Sequence, residues 1–136
     1  MLHKFAYKLG RIYNKKHFGS EKNACSTTIS YHLQDAGYID IVYPYTLALY
    51  YELVKCGAKH ICSIKDLQKG DICFSADERG LIGPDHVFLF LSHDGVHSAT
   101  VIDNYAPESH TRNLRKGKRT VFAFALRFKG FKLNWE

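Results

Sequence analysis

The sequence predicts an α+β fold, with N-terminal helices packed on an antiparallel β-sheet. Residues 2–56 hold three stretches of helical periodicity, and residues 71–128 hold short apolar runs set off by turn residues. Two of those runs, His86–Leu91 and Val96–Asn104, flank Asp94-Gly95, a dipeptide that favours a β-hairpin turn. A chain of 136 residues, 46% of them hydrophobic, can bury a core as a single domain over 1–136 and is not disordered.

The first helix is expected over 2–16, with Leu2, Phe5, Leu9 and Ile12 turned inward. His17–Ser20 ends it. A second helix spans 24–36, capped by Asn23 and stopped by Gly37, and offers Ile29, Leu33 and Ala36 to the core. The third, Tyr45–Cys56, is rich in Leu47, Leu49, Leu53 and Val54 and ends at Gly57. Ile61–Lys69 reads as turns, Asp71–Phe74 as a buried strand and Ser75–Asp85 as a loop. Tyr105–Arg119 reads as a polar excursion and Thr120–Phe128 as the last strand.

The hairpin carries the first chemical expectation. A type I′ turn at Asp94-Gly95 pairs His93 with Val96, Leu91 with Ser98, Val87 with Ile102 and His86 with Asp103. Directly opposed residues share a face, so an imidazole and a carboxylate stand side by side on a sheet. A three-residue loop would instead offer Asn104 as the partner.

Cys25 is the group on which that imidazole can act. It falls in the first turn of the second helix, where unpaired N–H groups and the positive end of the helix dipole stabilise a thiolate. Cys, His and Asp together can form a nucleophilic site. Cys56, Cys62 and Cys73 lie in or beside apolar elements and are expected to be small buried hydrophobes. The four cysteines lack CxxC spacing, so no metal site is expected, and no disulfide framework.

Four patterns resemble the NlpC-type and CHAP-type papain-like cysteine peptidases and amidases of bacteria and phages. Ala24-Cys25-Ser26, with a helix ending Asp35-Ala-Gly-Tyr38, is similar to that family's nucleophile helix. Asp66-Leu-Gln-Lys-Gly-Asp-Ile-Cys-Phe74 resembles its Leu-x-x-Gly-Asp approach to the first strand. His86-Val-Phe-Leu-Phe-Leu91 resembles its His-Val strand, and Val101-Ile-Asp-Asn104 the strand of the third polar residue. The resemblance covers about residues 10–128. It departs at Ala24, where many relatives have Asp or Gln, and in lacking Gly after Ser26.

The resemblance implies a hydrolase cleaving amide bonds of peptidoglycan peptides through a thioester, with no cofactor or metal. Cys25 would be the nucleophile, His86 the proton carrier and Asp103, or alternatively Asn104, the orienting group. The Cys25 N–H would be one oxyanion donor, and Tyr13 is the side-chain candidate for a second. His93, His97 and His110 are expected in turns or on the surface. His97 ranks behind Asp103 and Asn104 as third residue.

The net charge of +6 favours anionic partners such as cell-wall polymers. The basic stretch Arg112–Arg119 reads as a solvated loop that could attach to such a polymer. A nucleic-acid-binding module using that stretch with Phe122, Phe124 and Phe128 lacks a recognisable signature and is ranked below the enzyme. A catalytically silent relative, serving as a structural virion or secretion part, is the other alternative. No apolar run approaches a membrane span and no secretory signal is evident. The chain is expected to be a monomer made in the cytoplasm, with the cell wall reached through lysis or a virion.

Overall fold

The computed structural model describes residues 1–75, 86–116 and 121–130. The chain is α+β. Three helices come first: α1 (His3–Phe18), α2 (Cys25–Asp35) and α3 (Thr46–Lys55). Strands β1 (Lys59–Ile61), β2 (Ile72–Ser75), β3 (His86–His93), β4 (Ser98–Ile102), β5 (His110–Asn113) and β6 (Phe122–Arg127) then form one antiparallel sheet in the order β1-β6-β2-β3-β4-β5. Strand β1 lies just before the expected turns, in a stretch given no element from sequence, and β5 lies within the expected polar excursion; each is short, and β5 is polar throughout. The expected loop at 76–85 lies outside the described residues.

Helix α2 is the centre of the molecule. Every residue from Cys25 to Ser30 is buried, as are His32 and Leu33. Ile29 and Leu33 pack with Leu49 and Leu53 of α3 and with Val87, Leu89 and Ile102 of the sheet. Ala36, expected on that stripe, is exposed at the helix end. The remaining faces are buried through small polar groups. Ser26 Oγ donates to the Tyr43 carbonyl at 2.6 Å and Thr27 Oγ1 to Asn14 Oδ1 at 2.7 Å. Gly37, at φ 84°, stops the helix: its N–H bonds Gln34 O while the Tyr38 N–H reaches Leu33 O.

The inward face of α1 differs from expectation. His3, Ala6, Gly10 and Asn14 are buried, whereas Phe5 and Ile12 are about half exposed. The reason is close approach to α2. A Cβ at Gly10 would lie 2.4 Å from Thr28 Oγ1 and 3.1 Å from the Thr28 backbone, so the contact selects small residues over large apolar ones. Gly10→Ala must push the helices apart. We expect it to lower the urea-unfolding free energy by about 1–3 kcal/mol although alanine favours the helix; an unchanged midpoint would contradict this packing. In α3, Leu49 and Leu53 are buried as expected, while Leu47 and Val54 face solvent.

The sheet has a core on each side. One lies under the helices. On the other, Phe88, Phe90, Val101, Leu114 and Ala125 pack with Ile64 and Leu67. The Phe122 N–H donates to Leu114 O at 2.8 Å, joining the ends of β5 and β6. Three strands separate those two in the sheet order, so the sheet curls.

The β3–β4 connection is not the expected type I′ turn. Neither Asp94 nor Gly95 has positive φ. The Asp94 N–H bonds Ser98 O at 2.8 Å, leaving Gly95, Val96 and His97 as a three-residue loop. The Asp94 carboxylate accepts the hydroxyls of Thr100 and Thr111, which ties the loop to β4 and β5. A β-bulge then shifts the register between Phe90 and Ser92, giving pairs His93–Ala99 and Ser92–Thr100 on one side and Phe90–Val101 and Leu89–Ile102 on the other.

Candidate active site

Cys25 is the first residue of α2. Ala24, not Asn23, occupies the capping position, and no side chain caps the helix. Asn23 instead adopts a positive φ of 60°, turning the chain into the helix. Asn14 of α1 braces this turn by donating to the Lys22 carbonyl at 3.1 Å. Cys25, 7% exposed, thus stands in the first turn, whose N–H groups have no partner within the helix.

His86 opens β3, opposite Ser75 of β2, and its ring is buried. The corrected register makes Asp103 a diagonal neighbour of His86 rather than its direct partner. The change near His86 is two positions, and an even change keeps both side chains on one face. His86 Nε2 lies 3.2 Å from Asp103 Oδ2. A carboxylate only accepts, so Nε2 carries the hydrogen and Nδ1 is left as the ring nitrogen free to act on Cys25, which lines the same cleft.

The electrostatics follow from these contacts. Burial pushes the Cys25 thiol up, but the hydrogen bond and charge of His86 outweigh it and leave the pKa below the ordinary value. Burial pushes His86 down, yet the hydrogen bonds to Asp103 and Cys25 raise it overall. Burial pushes the Asp103 carboxyl up, but the hydrogen bonds from His86 and His110 and the charges of Arg112 and His86 outweigh it and hold the group well below the usual carboxylate range. The two shifts in Cys25 and His86 favour a thiolate–imidazolium pair. Thr46 Oγ1 at the start of α3 lies 3.8 Å from the sulfur.

Asp103 has more partners than the sequence suggested. Its Oδ1 accepts the Tyr105 N–H at 2.9 Å and His110 Nε2 at 2.7 Å. Arg112 Nε stands 3.0 Å from Oδ2. That Nε–H is not directed along the contact, so the pair is coulombic rather than hydrogen-bonded. His110 and Arg112 belong to β5, where Val101 faces His110 and Ala99 faces Arg112, so period 2 carries both side chains to the Asp103 face. Their spacing, His-x-Arg, was the available signal, hidden in a stretch read as surface.

Asn104, the alternative third residue, lines the cleft but holds neither site nitrogen: its backbone carbonyl accepts Arg11 Nη2 at 3.3 Å and its side-chain Oδ1 is buried without a partner. Tyr13 does not reach the site; it packs on His17 and Tyr31. His97 is exposed in the hairpin loop. Cys56 and Cys62 are exposed, contrary to expectation, because one follows the last turn of α3 and the other the end of β1; Cys73, in β2, is fully buried. Phe122, Phe124 and Phe128 are half-buried or buried against the two cores, so they do not form an open stacking surface.

A cleft of about 710 Å³ opens above Cys25 and His86, walled by Tyr45 and Thr46 on one side and Asn104 and Tyr105 on the other, with Arg11 and Lys22 at its rim. Among the described residues, no cluster of His, Cys, Asp and Glu is arranged to hold a metal ion, and no helix is long and apolar enough to cross a membrane.

A second histidine pair lies nearby. The His3 ring is buried between α2 and the chain after β4, with Nε2 donating to Ala106 O at 2.9 Å and Nδ1 3.0 Å from His32 Nε2. His3 Nδ1 is therefore the acceptor, and His32 Nδ1 is left buried, bare and unpartnered. Burial and the neighbouring His3 lower the His32 pKa to about 3, and burial lowers His3 as well. The unfolded chain takes up protons near pH 6.5 while the folded pair does not, so stability falls as pH drops below 6.5. One such proton removes at most about 2 kcal/mol between pH 6.5 and 5. Urea titrations across that range should show this slope in the wild type and a smaller one in His32→Gln.

No family model, curated protein or solved structure matches this chain.

Proposed function

We propose that this chain is a papain-like cysteine hydrolase of the NlpC/CHAP kind, which cleaves amide bonds in peptidoglycan peptides by way of a thioester. One observation carries the reading: a thiol at the start of a buried helix shares a cleft with an imidazole whose Nε2 is held by a buried carboxylate. Cys25 thiolate attacks the amide carbonyl, and the Cys25 N–H, unpaired at the helix start, donates to the developing oxyanion. The His86 imidazolium delivers its Nδ1 proton to the leaving amine, then takes a proton from the water that hydrolyses the thioester. Asp103 keeps the ring in the required tautomer and balances its positive charge. With Tyr13 remote, the side chain nearest to a second oxyanion donor is Thr46, beside the sulfur.

The net charge of +6 and the basic rim residues Arg11 and Lys22 suit an anionic wall polymer. The test is incubation with purified peptidoglycan and mass spectrometry of the released fragments, beside a Cys25→Ala control. New amino termini in cross-link or stem peptides, absent from the control, support the proposal. Intact wall in both samples, under conditions where Cys25 reacts with iodoacetamide, would reject this substrate.

A further inference from the structure

We propose that Arg112, seconded by His110, is a positioning residue that sets the proton affinity of the His86–Cys25 pair by sharing the Asp103 carboxylate. This rests on the hydrolase reading for its purpose, though not for its physics. Asp103 Oδ2 lies between two cationic partners, His86 Nε2 at 3.2 Å and Arg112 Nε at 3.0 Å. Oδ1 is occupied by His110 and the Tyr105 N–H. All four groups approach one carboxylate that is 0% exposed, where charges interact strongly.

A carboxylate facing only His86 would hold the imidazolium tightly and make it a reluctant proton donor to the leaving group. Arg112 offsets part of that negative charge. It is fixed in turn: its guanidinium carbon lies 4.2 Å from the Tyr105 ring centroid, and that ring stands 5.3 Å from the His86 ring. Tyr105 thus joins the clamp to the cleft wall. Among the described residues, the charged and titratable groups around His86 are Cys25 from α2, Asp103 and Tyr105 after β4, and His110 and Arg112 from β5. His3 of α1 is neutral in its hydrogen-bonded pair, and Arg11 of α1 is engaged by the Asn104 carbonyl and by Glu21. Among these, Arg112 is the fixed positive charge on Asp103.

Removing it should therefore let Asp103 act on His86 alone. In Arg112→Met, which keeps an apolar stem against Tyr105, the His86 imidazolium should persist to higher pH. We expect its NMR titration midpoint to rise by about half to one pH unit, and the basic limit of the pH–activity profile to rise with it. Arg112→Lys, which retains the charge, should restore most of the wild-type midpoint. His110→Gln should produce a smaller shift in the same direction, and serves if Arg112→Met does not fold. An unmoved His86 midpoint in a folded Arg112→Met or His110→Gln protein would overturn the proposal and leave β5 a structural support. Because the ring is titrated without substrate, a shift in a protein that leaves peptidoglycan intact counts against the peptidoglycan substrate and not against this proposal.

Discussion

Cys25→Ala is expected to abolish hydrolysis, lowering turnover by about 10⁵-fold or more while leaving the fold in place. No other group can form the thioester: Cys73 is sealed in the sheet, and Cys56 and Cys62 lie outside the cleft lining. The sulfur interacts with His86, the Val87 backbone and, at longer range, Thr46, so its loss removes one partner from a buried imidazole that Asp103 still holds. The change in stability should stay within about 1–2 kcal/mol. Fragment release from peptidoglycan, normalised to folded protein by circular dichroism, gives the comparison. Activity retained above about one part in a thousand would remove Cys25 from the chemistry.

Asp103→Asn should be the next most damaging change, and its surroundings say how. Two donors, the Tyr105 N–H and His110 Nε2, converge on Oδ1. The amide oxygen of an asparagine must take that place, which turns its NH₂ toward His86 Nε2 and Arg112. Two donors cannot face each other, so His86 must shed the Nε2 hydrogen and carry it on Nδ1, toward Cys25. In that tautomer the ring cannot accept the thiol proton. We expect a loss of about 10²–10⁴ in turnover. Arg112, largely buried, also loses its counter-charge, so about 3–5 kcal/mol of stability should go with it. Asn104→Ala on the same substrate should cost less than tenfold. If Asn104→Ala were the more damaging, the orienting role would belong to Asn104.

Cys25, His86 and Asp103 could be picked out from sequence because each sits at an element boundary that local rules mark. The geometry linking them could not. An Asp94-Gly95 turn implies direct opposition of His86 and Asp103, and the real three-residue loop alters the register by an odd step, which alone would bring Asn104 to the His86 face. The bulge at Leu91 takes up one residue and restores the parity, and it has no composition signal in a continuous apolar strand. His110 and Arg112 were obscured for a related reason: β5 is entirely polar, and alternation cannot be seen where every residue is hydrophilic. The buried face of α1 is hidden from apolar periodicity because it is made of small Ala6 and Gly10 and polar His3 and Asn14.

The placement of the four thiols gives the molecule a built-in gauge of its own opening. Exposed Cys62 gives the reference rate for a thiol open to an alkylating reagent, whereas Cys56, also exposed, donates to Glu52 Oε1 at 3.6 Å and should react more slowly. Cys73, wholly enclosed mid-sheet, becomes reachable only when the strands on either side part, so its labelling rate measures large-scale unfolding. Cys25 heads a helix whose first six residues are all buried, and local fraying there would disturb the contacts with α1 and α3. Any modification of Cys25 faster than that of Cys73 therefore arrives through the cleft of the intact protein. Reagent size at fixed chemistry then becomes a ruler: the largest probe that still labels Cys25 ahead of Cys73 marks the width of the passage a substrate must use.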